Sequence, residues 1–176
     1  MTRSSPSSSS TSASSSSNNF PTIFVTVGTT DFDEMIAILD SADFVSFLEL
    51  CGCKKVVFQI GRGKYEPKYL VDASRSKGKA RKSGKHTFEF EYFRYAPSLK
   101  DYMKEASLII SHGGAGSIRE SLRLKKPLMA CVNESLMDNH QLELAHACQE
   151  KNWCAYTTPH ELCSRLSQVD FASFEQ

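Results

Sequence analysis

With 176 residues, 40% of them hydrophobic, the chain is long enough to bury one ordinary core and too short for several. A formal net charge of +1 supplies no field for gripping a nucleic-acid duplex, so no nucleic-acid partner is expected. No apolar run approaches transmembrane length and the N-terminus lacks the apolar centre of a signal peptide, so a cytosolic chain is expected.

Residues 1–20 are almost entirely serine, threonine and asparagine, a composition that buries nothing and predicts a disordered tail. One folded domain is expected over residues 21–170, with 171–176 as a short C-terminal tail. Ile23-Phe24-Val25-Thr26-Val27 reads as a buried strand closed by Gly28-Thr29-Thr30, and the spacing of Phe32, Met35, Ile36 and Leu39 predicts a helix from Asp31. Asp31 and Asp33 form a D-x-D pair with two readings. One is a metal-bound sugar nucleotide; the other is a helix start, with Asp31 and Glu34 as a capping pair at the positive dipole end. The helix start is preferred, because a divalent site needs more oxygen ligands than this stretch supplies.

Phe44, Phe47 and Leu48 continue helical spacing to Gly52, and Lys55 to Ile60 forms a second strand ending in Gly61-Arg62-Gly63. From Arg75 to His86 the chain is basic and aperiodic, a surface loop whose Lys77, Lys79, Arg81, Lys82 and Lys85 face solvent. Phe88, Phe90 and Tyr92 alternate with Glu89 and Glu91 as a half-exposed strand, after which Tyr95-Ala96-Pro97 turns into a short helix reaching Glu105. The cysteines, Cys51, Cys53, Cys131, Cys148, Cys154 and Cys163, include no C-x-x-C pair and fall at core-like positions, so reduced structural thiols are expected.

The most informative stretch runs from Leu108 to Glu120. The apolar Leu108-Ile109-Ile110 reads as a strand that empties into Gly113, Gly114 and Gly116, followed by the helical spacing of Ala115, Ile118 and Leu122. Glycines at a helix start let the backbone approach a ligand, and the first helical N–H groups favour a phosphate. Ser117 and Glu120 equally fit a capping box with no ligand at all. The pattern is neither G-x-G-x-x-G nor a Walker loop, so the usual dinucleotide and ATP readings lose ground. Lys126-Pro127 ends that helix, and Leu128 to Val132 makes another strand. The polar run Asn133 to Gln141 leads into a helix carrying Leu144, Ala145 and Cys148, with Asp138 and Gln141 permitting another capping box. A weak strand at Trp153 to Tyr156 and a helix from His160 to about Gln168 complete the count. Strands alternating with helices predict an α/β fold: a Rossmann-like parallel sheet with helices on both faces and its ligand beyond the carboxyl ends of the strands.

His-x-Gly-x-x-Ser-x-x-Glu resembles the nucleotide-sugar signature of GT-B glycosyltransferases. Five blocks carry the resemblance: Phe24 to Thr30, Gln59 to Gly63, Ile110 to Ser117, Ser121 to Leu128, and Val132 to Gln141. Together they are similar to the C-terminal half of the GT-B family that includes the bacterial lipid II glucosaminyltransferase. Within it they resemble the soluble donor-binding subunits of the eukaryotic two-subunit UDP-N-acetylglucosamine transferase of the dolichol-linked oligosaccharide pathway.

The resemblance implies that Gly28 and Thr29, with Gly114, Ala115, Gly116 and Ser117, cradle a diphosphate, and that Glu120 accepts from ribose hydroxyls. Backbone groups near Tyr95 and Ala96 would read the uracil edge, and Gln141, with Asn139 and His140 beside it, would hold the N-acetylglucosamine. A carboxylate suits two vicinal hydroxyls, and an amide can donate and accept at once. His112 is the candidate catalytic group, a cation balancing leaving-group charge, or else an ordinary buried histidine. The implied reaction is inverting transfer of N-acetylglucosamine from UDP-N-acetylglucosamine to dolichyl-diphosphate-linked N-acetylglucosamine, with no metal and no cofactor. Since complete GT-B enzymes have a second half that binds the acceptor, the resemblance also implies a membrane-anchored partner subunit. That partner would supply the lipid-linked acceptor and recruit this chain to the cytosolic face of the endoplasmic reticulum. The competing classes are a UDP-sugar-binding regulatory module without turnover and a scaffold whose loops bind nothing.

Overall fold

The structure is a computed structural model and describes residues 18–75, 87–133 and 139–174. The serine-rich run to Ser17 and the basic loop of residues 76–86 lie outside the described residues. Among the described residues six strands form one parallel sheet in the order β3-β2-β1-β4-β5-β6. They are β1 (Thr22–Thr26), β2 (Lys55–Gln59), β3 (Glu89–Phe93), β4 (Leu108–Ser111), β5 (Leu128–Cys131) and β6 (Ala155–Thr157). The central strands β1, β4 and β5 are buried on both sides, which is why they read as continuous apolar runs rather than alternating ones.

Among the described residues seven α-helices cover the two faces. α1 (Asp33–Leu39), α2 (Ala42–Leu50), α3 (Tyr69–Arg75) and α7 (Leu162–Gln168) pack with Ile23, Val25, Phe58 and Ile110 on one face. α4 (Lys100–Glu105), α5 (Ala115–Arg123) and α6 (Asn139–Glu150) pack with Phe24, Val57, Ile109 and Leu128 on the other. The predicted Rossmann-like architecture is therefore the observed one. At the sheet's β3 edge the alternation weakens, with Phe88 buried, Phe90 half-buried and Tyr92 exposed.

Some local readings change. α1 starts two residues later than predicted, at Asp33, and Phe32 is its N-cap with no side-chain hydrogen bond. Asp31 and Glu34 therefore do not cap it. The Asp33 carboxylate instead accepts from the amides of Lys64 at 3.0 Å and Tyr65 at 3.1 Å, pinning the loop after β2. α3, which periodicity does not predict, depends on Asp40. This buried carboxylate accepts from the amides of Lys68, Tyr69 and Leu70 at 2.8, 3.1 and 2.7 Å and from the Tyr65 hydroxyl at 2.9 Å. Burial, with Asp40 beside it, pushes the Tyr65 phenol up to about 12.

The packed body also extends beyond residues 21–170. Asn18 donates to the Val169 carbonyl at 2.7 Å, and Phe20 meets Phe171 edge-on with centroids 5.3 Å apart, so the segments just before β1 and after α7 are tied to each other. All six cysteines are free, and five are buried. Burial raises the thiols of Cys51, Cys53 and Cys154 to about 11, 12 and 12, which keeps them protonated packing groups. Among the described residues no helix is long and apolar enough to cross a membrane.

Asp40→Ala would strand three amides and a phenol at the start of α3. Urea denaturation should show a loss of about 3 kcal/mol, in the upper range for unsatisfied buried donors, while Asp40→Asn, which keeps one acceptor oxygen, should lose less.

Candidate functional site

The crevice of this sheet lies where strand order reverses, between β1 and β4. Thr26 and Ser111 are in register there, so the turns that follow, at Gly28 and at His112 to Gly114, emerge side by side. The His112 amide ties them together by donating to the Thr26 carbonyl at 3.1 Å.

The imidazole of His112 is clasped between the two turns. A Cβ on Gly28 would lie 2.9 Å from His112 Cε1, and one on Gly114 would collide with Nε2. Gly28 also holds φ at +65°, a conformation that L side chains rarely adopt, so its glycine is required twice over. His112 Nδ1 and the neighbouring Ser111 hydroxyl are the two buried side-chain polar atoms with no partner among the described residues. Desolvation by burial lowers the His112 pKa from its ordinary 6.5, so the ring in the ligand-free chain is neutral at pH 7.

α5 begins at Ala115, where the helical spacing begins. Gly114 is its N-cap, so Ser117 lies inside the first turn and the Ser117/Glu120 capping box does not form. The amides of Ala115, Gly116 and Ser117 are therefore the leading, outward-pointing donors of a nine-residue helix. Gly116 borders open space, since an added Cβ would meet nothing within 4 Å. Glu120 is released from capping. Its carboxylate accepts from Arg123 at 3.1 Å, and that guanidinium lowers its pKa, so it is ionised and only partly buried.

Across the crevice, Thr29 is exposed on the β1 turn, Tyr95 is 55% exposed and Ala96 is half-buried in the loop after β3. Asn139, His140 and Gln141 form the first turn of α6 beyond β5, but their side chains, and Asp138, lie outside the described residues. Among the described residues no group of three His, Cys, Asp or Glu side chains could hold a metal ion. The crevice can thus offer an anion a row of amide donors, and offer hydroxyls an ionised acceptor.

Two residues given no role by the sequence organise these loops. Gln59, 1% exposed, donates from Nε2 to the carbonyls of Gly28 and Arg94, both at 2.7 Å, and accepts at Oε1 from the Gly28 amide at 2.9 Å. The Arg94 guanidinium reaches the carbonyls of Gly61 and Gly63 and pairs with Glu66 at 2.8 Å. The available signal was a glutamine closing an apolar strand, which requires partners that the sequence does not name.

A parallel sheet in this order, with glycine turns and a bare helix N-terminus at its switch point, defines a Rossmann-like domain whose crevice can offer amide donors to a phosphate. The chain belongs to the glycosyltransferase family 28 C-terminal domain family, which matches residues 22–173. It is 43% identical to mouse (Mus musculus) "UDP-N-acetylglucosamine transferase subunit ALG13" over 135 residues, 77% of this chain and 10% of that protein. The chain thus spans about a tenth of that relative's length. The Saccharomyces cerevisiae protein of the same name is 32% identical over 161 residues, 79% of this chain and 78% of the yeast protein. The NMR solution structure of ALG13 superposes with a TM-score of 0.57 at 26% identity, covering 82% of this chain and 81% of that one.

With the folded pKa of His112 lowered, the unfolded chain binds more protons than the folded one just below pH 6.5. The histidine's contribution to stability is therefore complete above that pH and is lost as pH falls through the window beneath it. An NMR titration of the imidazole should give a midpoint below 6.5, and the acid-side loss of stability should shrink in His112→Gln.

Proposed function

We propose that this chain is the donor-binding part of a UDP-N-acetylglucosamine transferase. The observation that carries the reading is the convergence at the β1/β4 switch point of the Gly28 turn, the leading amides of α5 and the ionised Glu120 one turn further along the helix. The diphosphate lies against the amides of Ala115, Gly116 and Ser117 and the turn at Gly28 and Thr29. The helix dipole and N–H groups there stabilise the charge that builds on the departing UDP. Glu120 accepts from the ribose hydroxyls through the oxygen not occupied by Arg123. The backbone at Tyr95 and Ala96 takes the uracil edge. Asn139, His140 and Gln141 take the sugar; this assignment is supported by their motif and by the position of α6 beyond the β5 end.

His112 enters the site neutral. A bound diphosphate favours its protonated form, so donor binding itself would recruit the cation that balances the leaving group. No residue assigned to donor binding is given the role of general base. This fits a division of labour in which a membrane-anchored partner binds the lipid-linked acceptor and this chain presents the donor. The names of the similar proteins, each a transferase subunit, support such an arrangement. The proposed reaction is inverting transfer to dolichyl-diphosphate-linked N-acetylglucosamine at the cytosolic face of the endoplasmic reticulum.

Calorimetric titration with UDP-N-acetylglucosamine tests the donor site. Glu120→Ala should weaken binding by roughly ten- to a hundredfold, the factor for losing hydrogen bonds to a charged group, with the melting temperature unchanged. Equal affinities in the two proteins would remove Glu120 from the site.

A further inference from the structure

We infer that Gln59 is the positioning residue of the crevice, a buried amide clamp that sets the distance between the phosphate-binding turn and the base-binding loop. The inference rests on the donor-site reading and concerns a residue that contacts no part of the donor.

Gln59 closes β2 in register with Thr26 of β1 on one side and Phe93 of β3 on the other. Its amide uses its whole hydrogen-bonding capacity on the loops that leave those two strands. Oε1 accepts from the Gly28 amide at 2.9 Å and from the Thr26 hydroxyl at 2.5 Å, while Nε2 donates to Gly28 O and Arg94 O. The Thr26 hydroxyl also accepts from the Gly28 amide at 3.1 Å, so the Gly28 peptide is held from both sides. The orientation of the amide is fixed, because the reverse would set its oxygen against two carbonyls and its nitrogen against an N–H.

Each loop has its own internal support. The β1 turn is closed by Thr30, whose amide and hydroxyl both donate to Val27 O, and by the Arg62 amide donating to Thr30 O. The β3 loop is fastened by the Ile60 amide on Phe93 O and by the Arg94 guanidinium on Gly61, Gly63 and Glu66. Among the described residues the direct side-chain link from the Gly28 turn to the backbone that runs into Tyr95 is the single nitrogen of Gln59. A ligand that touches one loop does not need this link. A ligand that spans both, as a nucleoside diphosphate does, gains from it through effective concentration, because its second contact then forms at a preset distance.

The experiment measures affinities of the whole chain for UDP by calorimetry and for pyrophosphate and uridine by NMR titration. It compares the natural protein with Gln59→Glu, which faces both carbonyls with an oxygen, and with Thr26→Val, which removes the hydroxyl brace. UDP affinity should fall about tenfold or more in Gln59→Glu and about threefold in Thr26→Val, while pyrophosphate and uridine each change less than about twofold. Weakening of all three ligands by a common factor, or unchanged UDP binding in the folded variants, would overturn the clamp. If Gln59→Glu does not fold, Thr26→Val decides by the same pattern. Absence of UDP binding to the natural chain is a different result, which sinks the donor-site reading itself.

Discussion

The function of this chain depends on a constraint of parallel sheets: neighbouring strands whose following helices leave to opposite faces cannot close the gap between their ends. β1 sends its chain to the α1 face and β4 sends its chain to the α5 face, so the space between Gly28 and Gly114 stays open. His112 partly fills it, and the two glycines exist to admit that ring. The proposed donor site is arranged around this gap, with helix N–H groups on one wall and a left-handed turn on the other.

The loops around the gap are held by polar side chains, of which Asp40 and Gln59 are buried, Asp33 is half-buried and Arg94 is exposed. Asp33, Asp40, Gln59 and Arg94 each accept from or donate to backbone groups of a loop distant in sequence. Such groups are costly to bury unless satisfied, and each here is satisfied by backbone groups at hydrogen-bond distance. The result is a set of turns with fixed spacing on a rigid sheet, which is what orienting a flexible donor requires. The unpartnered atoms, Ser111 Oγ and His112 Nδ1, sit on consecutive residues at the mouth of the same gap.

Much of this was legible in the sequence, for physical reasons. β1, β4 and β5 are buried on both faces, so each shows as an apolar run, and their glycine-bearing exits identify the ligand-side edge. Local helix-start chemistry was less faithful. Asp31 with Glu34 and Ser117 with Glu120 have capping spacing, yet Phe32 and Gly114 take those positions, since the preceding strand ends determine where each helix begins. α3 was illegible because it buries one large apolar residue, Leu70, and owes its start to a carboxylate some thirty residues upstream. The same holds for Gln59 and Arg94, whose roles are contacts between strands and appear only when β1, β2 and β3 lie side by side. The family blocks included Gln59 without saying what it does.

The proposed site requires one nucleotide sugar to bridge the two walls of the β1/β4 gap. Backbone amide NMR of the chain, followed while UDP-N-acetylglucosamine is added, tests it most directly. A single bridging ligand gives concerted shifts at Gly28 and Thr29, at Ala115 to Ser117 and at Tyr95 and Ala96, saturating at a single concentration. Shifts confined to one wall, or lying along α7 and β6 instead, would contradict it.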